Sequence, residues 1–248
     1  MNTARQTLGQ AFAAGSAHYR ELRPGYPTDA VRWLVDDLQP GAAVADIGAG
    51  TGKLTSELVR LGLEVTAVDP SADMLAQVAA HLPKARIMIG SGERTGLADS
   101  SLDGATFAQS WHWVEPDAGQ RELVRILRPG GTVALVWNLM DTAVDWVADY
   151  AAIMHSVHGW EAVSADHQPP VLSAGFLELE HAEFDWQHRL GRDALAALVT
   201  TRSYFLAASR TEQEQVQNRM SSFVRSTFGD VAEVALPYRA WCYRARRS

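Results

Sequence analysis

Residues 44 to 55 read Val-Ala-Asp-Ile-Gly-Ala-Gly-Thr-Gly-Lys-Leu-Thr, an apolar run that meets glycine at alternate positions, Gly48, Gly50 and Gly52. Glycines at such a crossover let the main chain turn tightly and approach a ligand, and a following helix offers that ligand its unpaired N–H groups. The chemistry expected is the cradling of a nucleotide-like cofactor. A phosphate loop needs glycine, four residues, then Gly-Lys-Ser/Thr; counting back from Gly52-Lys53 gives Ile47, and Leu54 replaces the magnesium-binding hydroxyl. A dinucleotide loop needs G-x-G-x-x-G; Gly48 and Gly50 fit, but Lys53 stands in place of the third glycine. What remains is an acid near the strand end, Asp46, followed by G-x-G-x-G. A second short run, Val65 to Val68, ends in Asp69, 21 residues after Gly48. A carboxylate there suits a ribose, because it only accepts hydrogen bonds and takes two O–H donors at once.

A second group of residues can serve an acceptor. Gln109-Ser110-Trp111-His112-Trp113 follows an apolar run. His112 is of the residue type that can take a proton from a nucleophile, while the faces of Trp111 and Trp113 suit an apolar or planar molecule. Equally, His112 can hydrogen-bond within the fold while the tryptophans cover a sheet edge. Near the N-terminus Tyr19, Arg20, Arg23 and Tyr26 can fold over a bound cofactor as a lid, with arginines gripping a carboxylate bidentately. Arg23, before Pro24, can instead simply anchor the segment. Tyr204 is a further pocket candidate. His155, His158 and His167 are the nearest approach to a metal-ligand set, and no metal is expected.

These residues need a scaffold, and 248 residues with 47% apolar content suffice for one large α/β domain. Thr28 is expected to cap a helix with Val31, Leu34, Val35 and Leu38 on one face, stopped by Pro40-Gly41. Strands near 43 to 47 and 64 to 68 alternate with helices carrying Leu54, Leu58 and Leu61, then Met74, Leu75, Val78 and Leu82. Strands at Arg86 to Ile89 and Leu102 to Gln109, a helix over 117 to 128, a turn at Arg128 to Gly131 and a strand over Thr132 to Trp137 complete five strands in one parallel sheet. Right-handed crossovers bring Gly48, Asp69, Ser91 and Gln109 to one rim. Beyond residue 140 the pattern predicts a helix through Val144, Val147, Ala151 and Met154, a loop over 159 to 175, and a strand with a bulge between Leu179 and Ala182. Helices near 191 to 202 and 211 to 226 and a strand over 238 to 245 follow. The net charge of −7 disfavours nucleic acid as a partner, and the arginines at 244, 246 and 247 read as a solvated strand end. A single cysteine, Cys242, excludes an internal disulfide and reads as packing. No leader or membrane-length apolar stretch is evident, so a cytoplasmic protein without membrane partners is expected.

From the glycine loop to Trp137 the chain resembles the class I S-adenosylmethionine-dependent methyltransferases of the small-molecule kind. Tyr19-Arg20-Glu21-Leu22-Arg23-Pro24-Gly25-Tyr26-Pro27 and the Gln109 to Trp113 segment are similar to the subgroup that includes trans-aconitate methyltransferases. The resemblance implies a Rossmann-like, doubly wound α/β fold of seven strands, mostly parallel with the last antiparallel, plus N-terminal lid helices and a helical insertion. It implies one domain over 1–248: a lid in 1–40, a cofactor-binding core in 41–140, and substrate-side helices and terminal strands in 141–248. S-adenosylmethionine would be held by Tyr19, Asp46, Gly48, Gly50, Gly52, Asp69, Pro70, Met74, Ser91, Gly92 and Gln109, although Met74 fits core packing equally well. A small-molecule oxygen, nitrogen or carbon nucleophile, a carboxylate among them, would lie against Tyr26, Trp111, Trp113 and Tyr204, with His112 as base. Where the family usually carries Asp-Ala-Glu to hold adenine, this chain has Gly90-Ser91-Gly92-Glu93. Ser91 accepts from the adenine amine less strongly than a carboxylate, and a flexible Gly92 adds an ordering cost. The alternatives are an NAD(P)-dependent oxidoreductase reusing Gly48, Gly50 and Asp69, or a non-catalytic protein that retains S-adenosylmethionine binding.

Overall fold

A computed structural model describes residues 22–157, 170–172 and 175–248. Tyr19, Arg20, the N-terminal lid helices, His158, His167 and most of the expected 159–175 loop lie outside the described residues.

The chain divides into two compact units, one formed by 25–138, 169–184 and 240–248, the other by 1–24, 139–168 and 185–239. The first carries the sheet. Its elements are α1 (Thr28–Leu34), β1 (Ala43–Ile47), α2 (Lys53–Arg60), β2 (Glu64–Asp69), α3 (Ala72–His81), β3 (Arg86–Ile89), β4 (Leu102–Ala108), a 3₁₀ turn (Trp111–Trp113), α4 (Pro116–Ile126) and β5 (Leu127–Met140). Two long strands, β6 (Glu180–Gly191) and β7 (Glu233–Arg246), begin or end in it. The seven strands run in the order β3-β2-β1-β4-β5-β7-β6. β1 pairs in parallel with both β2 and β4, β2 with β3, and β4 with β5. β7 runs antiparallel to β5, since Gly130 and Arg247 pair near one end while Asp141 meets Pro237 near the other. The expected seven-stranded sheet with an antiparallel last strand is therefore present.

Strand order fixes where a ligand can bind. From β1 the chain winds outward through β2 and β3, then returns to the other side of β1 for β4 and β5, so the direction reverses between β1 and β4. In an open parallel sheet the crevice outside the carboxyl ends of such strands is the binding position. β1 is buried from Val44 to Ile47 on both faces, which is why Ala-Val-Ala-Asp-Ile does not alternate.

Several local expectations are corrected. Thr28 is the first residue of α1 rather than its cap; Pro27 takes the cap position and no side chain caps the helix, which ends at Leu34. The turn at Arg128 to Gly131 is a bulge within β5: Leu102 pairs with Leu127 but Gly104 with Thr132, so the extra residues loop out, and Gly130 adopts φ +78°. β6 starts only at Glu180, after Leu177 and Leu179, so their change of phase falls outside the strand. The ion pairs Glu180–Arg244 and Asp185–Arg239 advance five residues along each strand together, leaving no bulge between them. β7 begins at Glu233, five residues earlier than the apolar pattern indicates.

The terminal arginines are engaged internally. Arg244 donates to the Trp33 carbonyl at 2.6 Å and to Glu180 at 2.7 Å, pairs with Asp36, and lies 4.4 Å from the Trp33 ring centroid. Arg246 pairs with Asp37 at 3.3 Å, and Arg247 donates to the Leu127 carbonyl. Cys242, in β7, is fully buried, and burial pushes its thiol pKa up to about 12.

The second unit contains α5 (Asp145–Met154), α6 (Arg192–Ala197) with its 3₁₀ extension Leu198–Thr201, α7 (Ser203–Ala207) and α8 (Arg210–Phe228). Ser209 and Glu212 form a reciprocal capping box at the start of α8. Tyr150, Leu195, Tyr204, Val216, Met220 and Tyr238 share its core, and the Tyr150 hydroxyl donates to the Leu195 carbonyl at 2.8 Å. Among the described residues no helix is long and apolar enough to cross a membrane.

Candidate active site

The glycine loop lies at the reversal point. Gly48 N–H and Ala49 N–H both donate to the Val68 carbonyl, at 2.8 and 3.1 Å, tying the end of β1 to β2. Gly48 has φ +71°, and a Cβ placed there would stand 2.4 Å from Ser110 Cβ. The Ser110 hydroxyl donates to the Ile47 carbonyl at 2.7 Å, so the loops after β1 and β4 are in direct contact. Gly50 and Gly52 also have positive φ, and Gly52 occupies the cap position of α2. Thr51, between them, is buried, and its hydroxyl has no hydrogen-bond partner among the described residues. A buried donor without a partner is costly, so an orphan in a loop of this kind points to a missing ligand.

The two acids do different work. Asp69, at the end of β2, accepts from Gly50 N–H at 2.9 Å and Ser71 N–H at 2.8 Å, one on each oxygen. Each oxygen retains capacity for another donor. Burial raises its pKa despite the two N–H donors. Asp46 lies deeper, with no exposed surface; Thr55 Oγ1 donates to it at 2.6 Å and Thr106 Oγ1 at 3.2 Å. It links β1, α2 and β4 beneath the loop. Burial, only partly offset by the two hydroxyls, raises its pKa to about 6. Pro70 is exposed, and Met74 is buried on the face of α3 that packs against the sheet. Ser71 caps α3 through Met74 N–H at 3.4 Å.

The segment after β3 is firmly seated. Ser91 and Arg94 exchange both main-chain hydrogen bonds, at 3.0 and 3.2 Å. Gly92 is buried, and a Cβ on it would stand 2.4 Å from Val114 Cγ2. Its glycine therefore permits close packing instead of adding freedom. Glu93 accepts from Glu115 N–H at 2.9 Å, and Glu122, itself held by Arg125, accepts from Thr95 N–H and Oγ1 at 2.7 and 2.6 Å.

The end of β4 is strained. Gln109 has φ +57°, a left-handed conformation that costs a residue with a side chain roughly 1–3 kcal/mol and recurs at functional sites. Its side-chain amide donates to the Asn138 carbonyl at 3.0 Å, and Asn138 Nδ2 donates to the Gly25 carbonyl at 2.8 Å. Trp111 is buried and meets Phe107 edge-on, with centroids 4.8 Å apart, so its indole seats the 3₁₀ turn. His112 and Trp113 are half-buried neighbours, centroids 4.8 Å apart. Trp137 Nε1 donates to His112 Nδ1 at 3.4 Å. Tyr26 is half-buried beside Gly25. Tyr204 belongs to the core of the second unit, where Arg23 also donates to the Thr201 carbonyl at 2.7 Å. Sequence reasoning passed over Thr51, Trp137 and Asn138; the unusual Gly-Thr-Gly spacing was the one available signal, for Thr51.

Residues 45–135 match the family model described as a methyltransferase domain. The whole chain is similar to an uncharacterized methyltransferase of Mycobacterium tuberculosis, 34% identical over 99% of each. The chain belongs to the class I S-adenosylmethionine-dependent methyltransferases. A candidate type II methyltransferase structure from Anaeromyxobacter dehalogenans superposes with a TM-score of 0.65 at 27% identity, over 91% of this chain and 97% of that one. Malonyl-[acyl-carrier protein] O-methyltransferase of Pectobacterium atrosepticum is 36% identical over 54% of this chain and 53% of its own length. This membership displaces the dinucleotide oxidoreductase alternative.

The residues of this methyltransferase fit its cofactor. The orphaned Thr51 hydroxyl and the remaining acceptor capacity of Asp69 lie in the glycine loop and at the neighbouring strand end. Asp69→Ala removes that capacity and frees the Gly50 and Ser71 N–H groups together. We expect S-adenosylhomocysteine to bind on the order of 10- to 100-fold more weakly to this variant by calorimetry, the scale of one lost hydrogen bond to a charged group. Unchanged affinity would remove Asp69 from the cofactor site.

Proposed function

We propose that this methyltransferase acts on a small molecule presented at the carboxyl end of β4, facing Gln109, His112 and Trp113, with the cofactor held by the glycine loop, Thr51 and Asp69. The observation that carries the proposal is the Ser110–Ile47 hydrogen bond, which joins the glycine loop directly to the strained segment from Gln109 to Trp113. When bound, S-adenosylmethionine supplies a methyl group on a sulfonium centre that is electrophilic without further activation. The task left to the chain is placement, which converts an encounter of two molecules into a unimolecular step. Asp69 orients the nucleoside end, the buried Asp46 braces the loop from below, and Trp111 seats the turn that presents His112 and Trp113. Ser91, with Gly92 packed on Val114, forms a rigid edge for the adenine. The Pectobacterium relative acts on a malonyl group as an O-methyltransferase, which favours an oxygen acceptor here.

Incubation with methyl-labelled cofactor and a metabolite extract tests the reading: a low-molecular-weight product heavier by one methyl group is expected, whereas label in no small molecule would leave a cofactor-binding protein without this activity. His112→Ala is expected to lower turnover about 10- to 100-fold, within the range of a lost hydrogen-bonding or acid–base group. Affinity for S-adenosylhomocysteine should stay within a factor of two or so of the wild type, since His112 faces the acceptor. An unchanged rate would place His112 outside the mechanism.

A further inference from the structure

β3 differs from the strands it follows. It lies at one end of the sheet, pairs only with β2 among the described residues, and all of its residues, Arg86 to Ile89, are exposed. Ile87, Met88 and Ile89 keep 45, 36 and 66% of their surface in water. The opposite edge, β6, carries Glu180, Glu183, Asp185 and Arg189, charges of the kind that keep another strand from adding to a sheet edge. β3 holds a single charge, Arg86, at its very start.

The main chain of β3 says what fits there. Gly90 N–H donates to the Asp69 carbonyl at 3.2 Å, so Gly90, and with it Met88 and Arg86, direct their main-chain groups at β2. Alternate residues of a strand direct theirs to opposite edges, which leaves the N–H and C=O of Ile87 and Ile89 pointing outward. The outward set ends there on both sides: Ala85 N–H donates to the Leu82 carbonyl at 2.9 Å, and Ser91 exchanges both of its bonds with Arg94. It is symmetric about Met88. We propose that β3 is a self-association edge, to which a second copy of this chain adds its own β3 antiparallel, across a two-fold axis through Met88. In that register Ile87 lies opposite Ile89 of the second copy, and the two exchange both main-chain hydrogen bonds, so every outward group is used. Met88 meets Met88 as the non-hydrogen-bonded pair, in which side chains approach more closely. Arg86 falls opposite Gly90, away from the arginine of the other copy. An in-register parallel pairing would set Arg86 beside Arg86. Moving the axis to Ile87 or Ile89 would bring Ala85 or Ser91 opposite an isoleucine with an N–H already committed. The contact is isologous and consumes both edges, so it stops at two copies. It is also small for a specific interface, so a dissociation constant of about 1–100 μM is expected.

Sedimentation of the full chain from about 1 μM to 1 mM should show a monomer giving way to a dimer across the expected range. Ile89→Lys, which puts an ammonium on the paired face, should raise the dissociation constant about tenfold or more while the thermal midpoint stays unchanged. Cross-linking fixes the register. Cys242 is buried, so a thiol placed on the edge is the one that reacts. Facing residues of a non-hydrogen-bonded pair stand about 4.5 Å apart between Cα atoms, within disulfide range. Under mild oxidation Met88→Cys should therefore give a covalent dimer, and Lys84→Cys, exposed but outside the paired segment, about tenfold less of it. A wild type that sediments as a monomer throughout overturns the proposal, and slow exchange of the Ile87 and Ile89 amides in that monomer would assign the edge to another segment of the chain. A dimer indifferent to Ile89→Lys, or a Met88→Cys variant no more prone to cross-link than Lys84→Cys, places association elsewhere and overturns it too. None of these readouts involves cofactor or acceptor, so their failure leaves the proposed methyl transfer untouched.

Discussion

Gly48→Ala is expected to lower the thermal midpoint by roughly 5–15 °C and to abolish measurable S-adenosylhomocysteine binding, following a loss of about 2–5 kcal/mol. Two costs add. Gly48 sits at φ +71°, where any side chain is strained, and its new methyl would stand 2.4 Å from Ser110 Cβ and 2.8 Å from Ser110 Oγ. Relief requires Ser110 to retreat, which breaks its hydrogen bond to Ile47 and separates the two loops that form the site. Gly50→Ala is the informative contrast. It too has positive φ, at +54°, but a Cβ there meets nothing within 4 Å. Its cost to folding should be only about 1–2 kcal/mol, whereas its methyl projects into the open space that the cofactor is proposed to use. Calorimetry and thermal melts on the pair separate stability from affinity; equal melting losses for both would refute the packing assigned to Gly48.

The second large effect concerns pH. Asp46 has its pKa raised from 3.8 to about 6, chiefly by burial. Between those two values the folded chain keeps a proton that the unfolded chain has released, so stability falls as pH rises, and the loss is complete above about pH 6. At about 1.4 kcal/mol for each unit between the two pKa values, ionised Asp46 costs about 3 kcal/mol at neutral pH. Asp46→Asn cannot titrate, and its amide can donate to one threonine hydroxyl while accepting from the other. Thr106 can also turn toward the Ala45 carbonyl, 3.4 Å away. Denaturant melts should therefore show the variant gaining on the wild type as pH rises from about 4 to 7, with a final difference of about 3 kcal/mol. Parallel curves across that range would mean that Asp46 does not titrate there.

What could be read beforehand depended on whether a residue type or its orientation carried the information. The five parallel strands were legible because their apolar runs alternate with helical ones, three of them meeting Gly48, Asp69 or Gly90 at their ends, and the count of seven with an antiparallel last strand followed from the resemblance. Thr28 misled because the capping preference of threonine competes with Pro27, which fits the extended cap position and leaves Thr28 inside the helix. The bulge in β5 resembled an ordinary turn, since Pro129-Gly130 serves either geometry and only the register with β4 distinguishes them. At the site, Gly48 and Asp69 were visible from spacing. The left-handed backbone of Gln109 was not, because glutamine carries no preference for it. The inward turn of Trp111 and the aim of Trp137 at His112 depend on tertiary packing, which no local pattern contains.

Cys242 turns the sheet into its own reporter. A thiol that is fully buried and held protonated to about pH 12 is silent toward disulfide reagents while β7 stays in place. It is also the only cysteine in the chain, so every reactive event reports one position. Modification in mild denaturant therefore counts openings of that strand, one molecule at a time. Whether a ligand slows that count would show how far its binding energy reaches along the sheet, without any assay of methyl transfer.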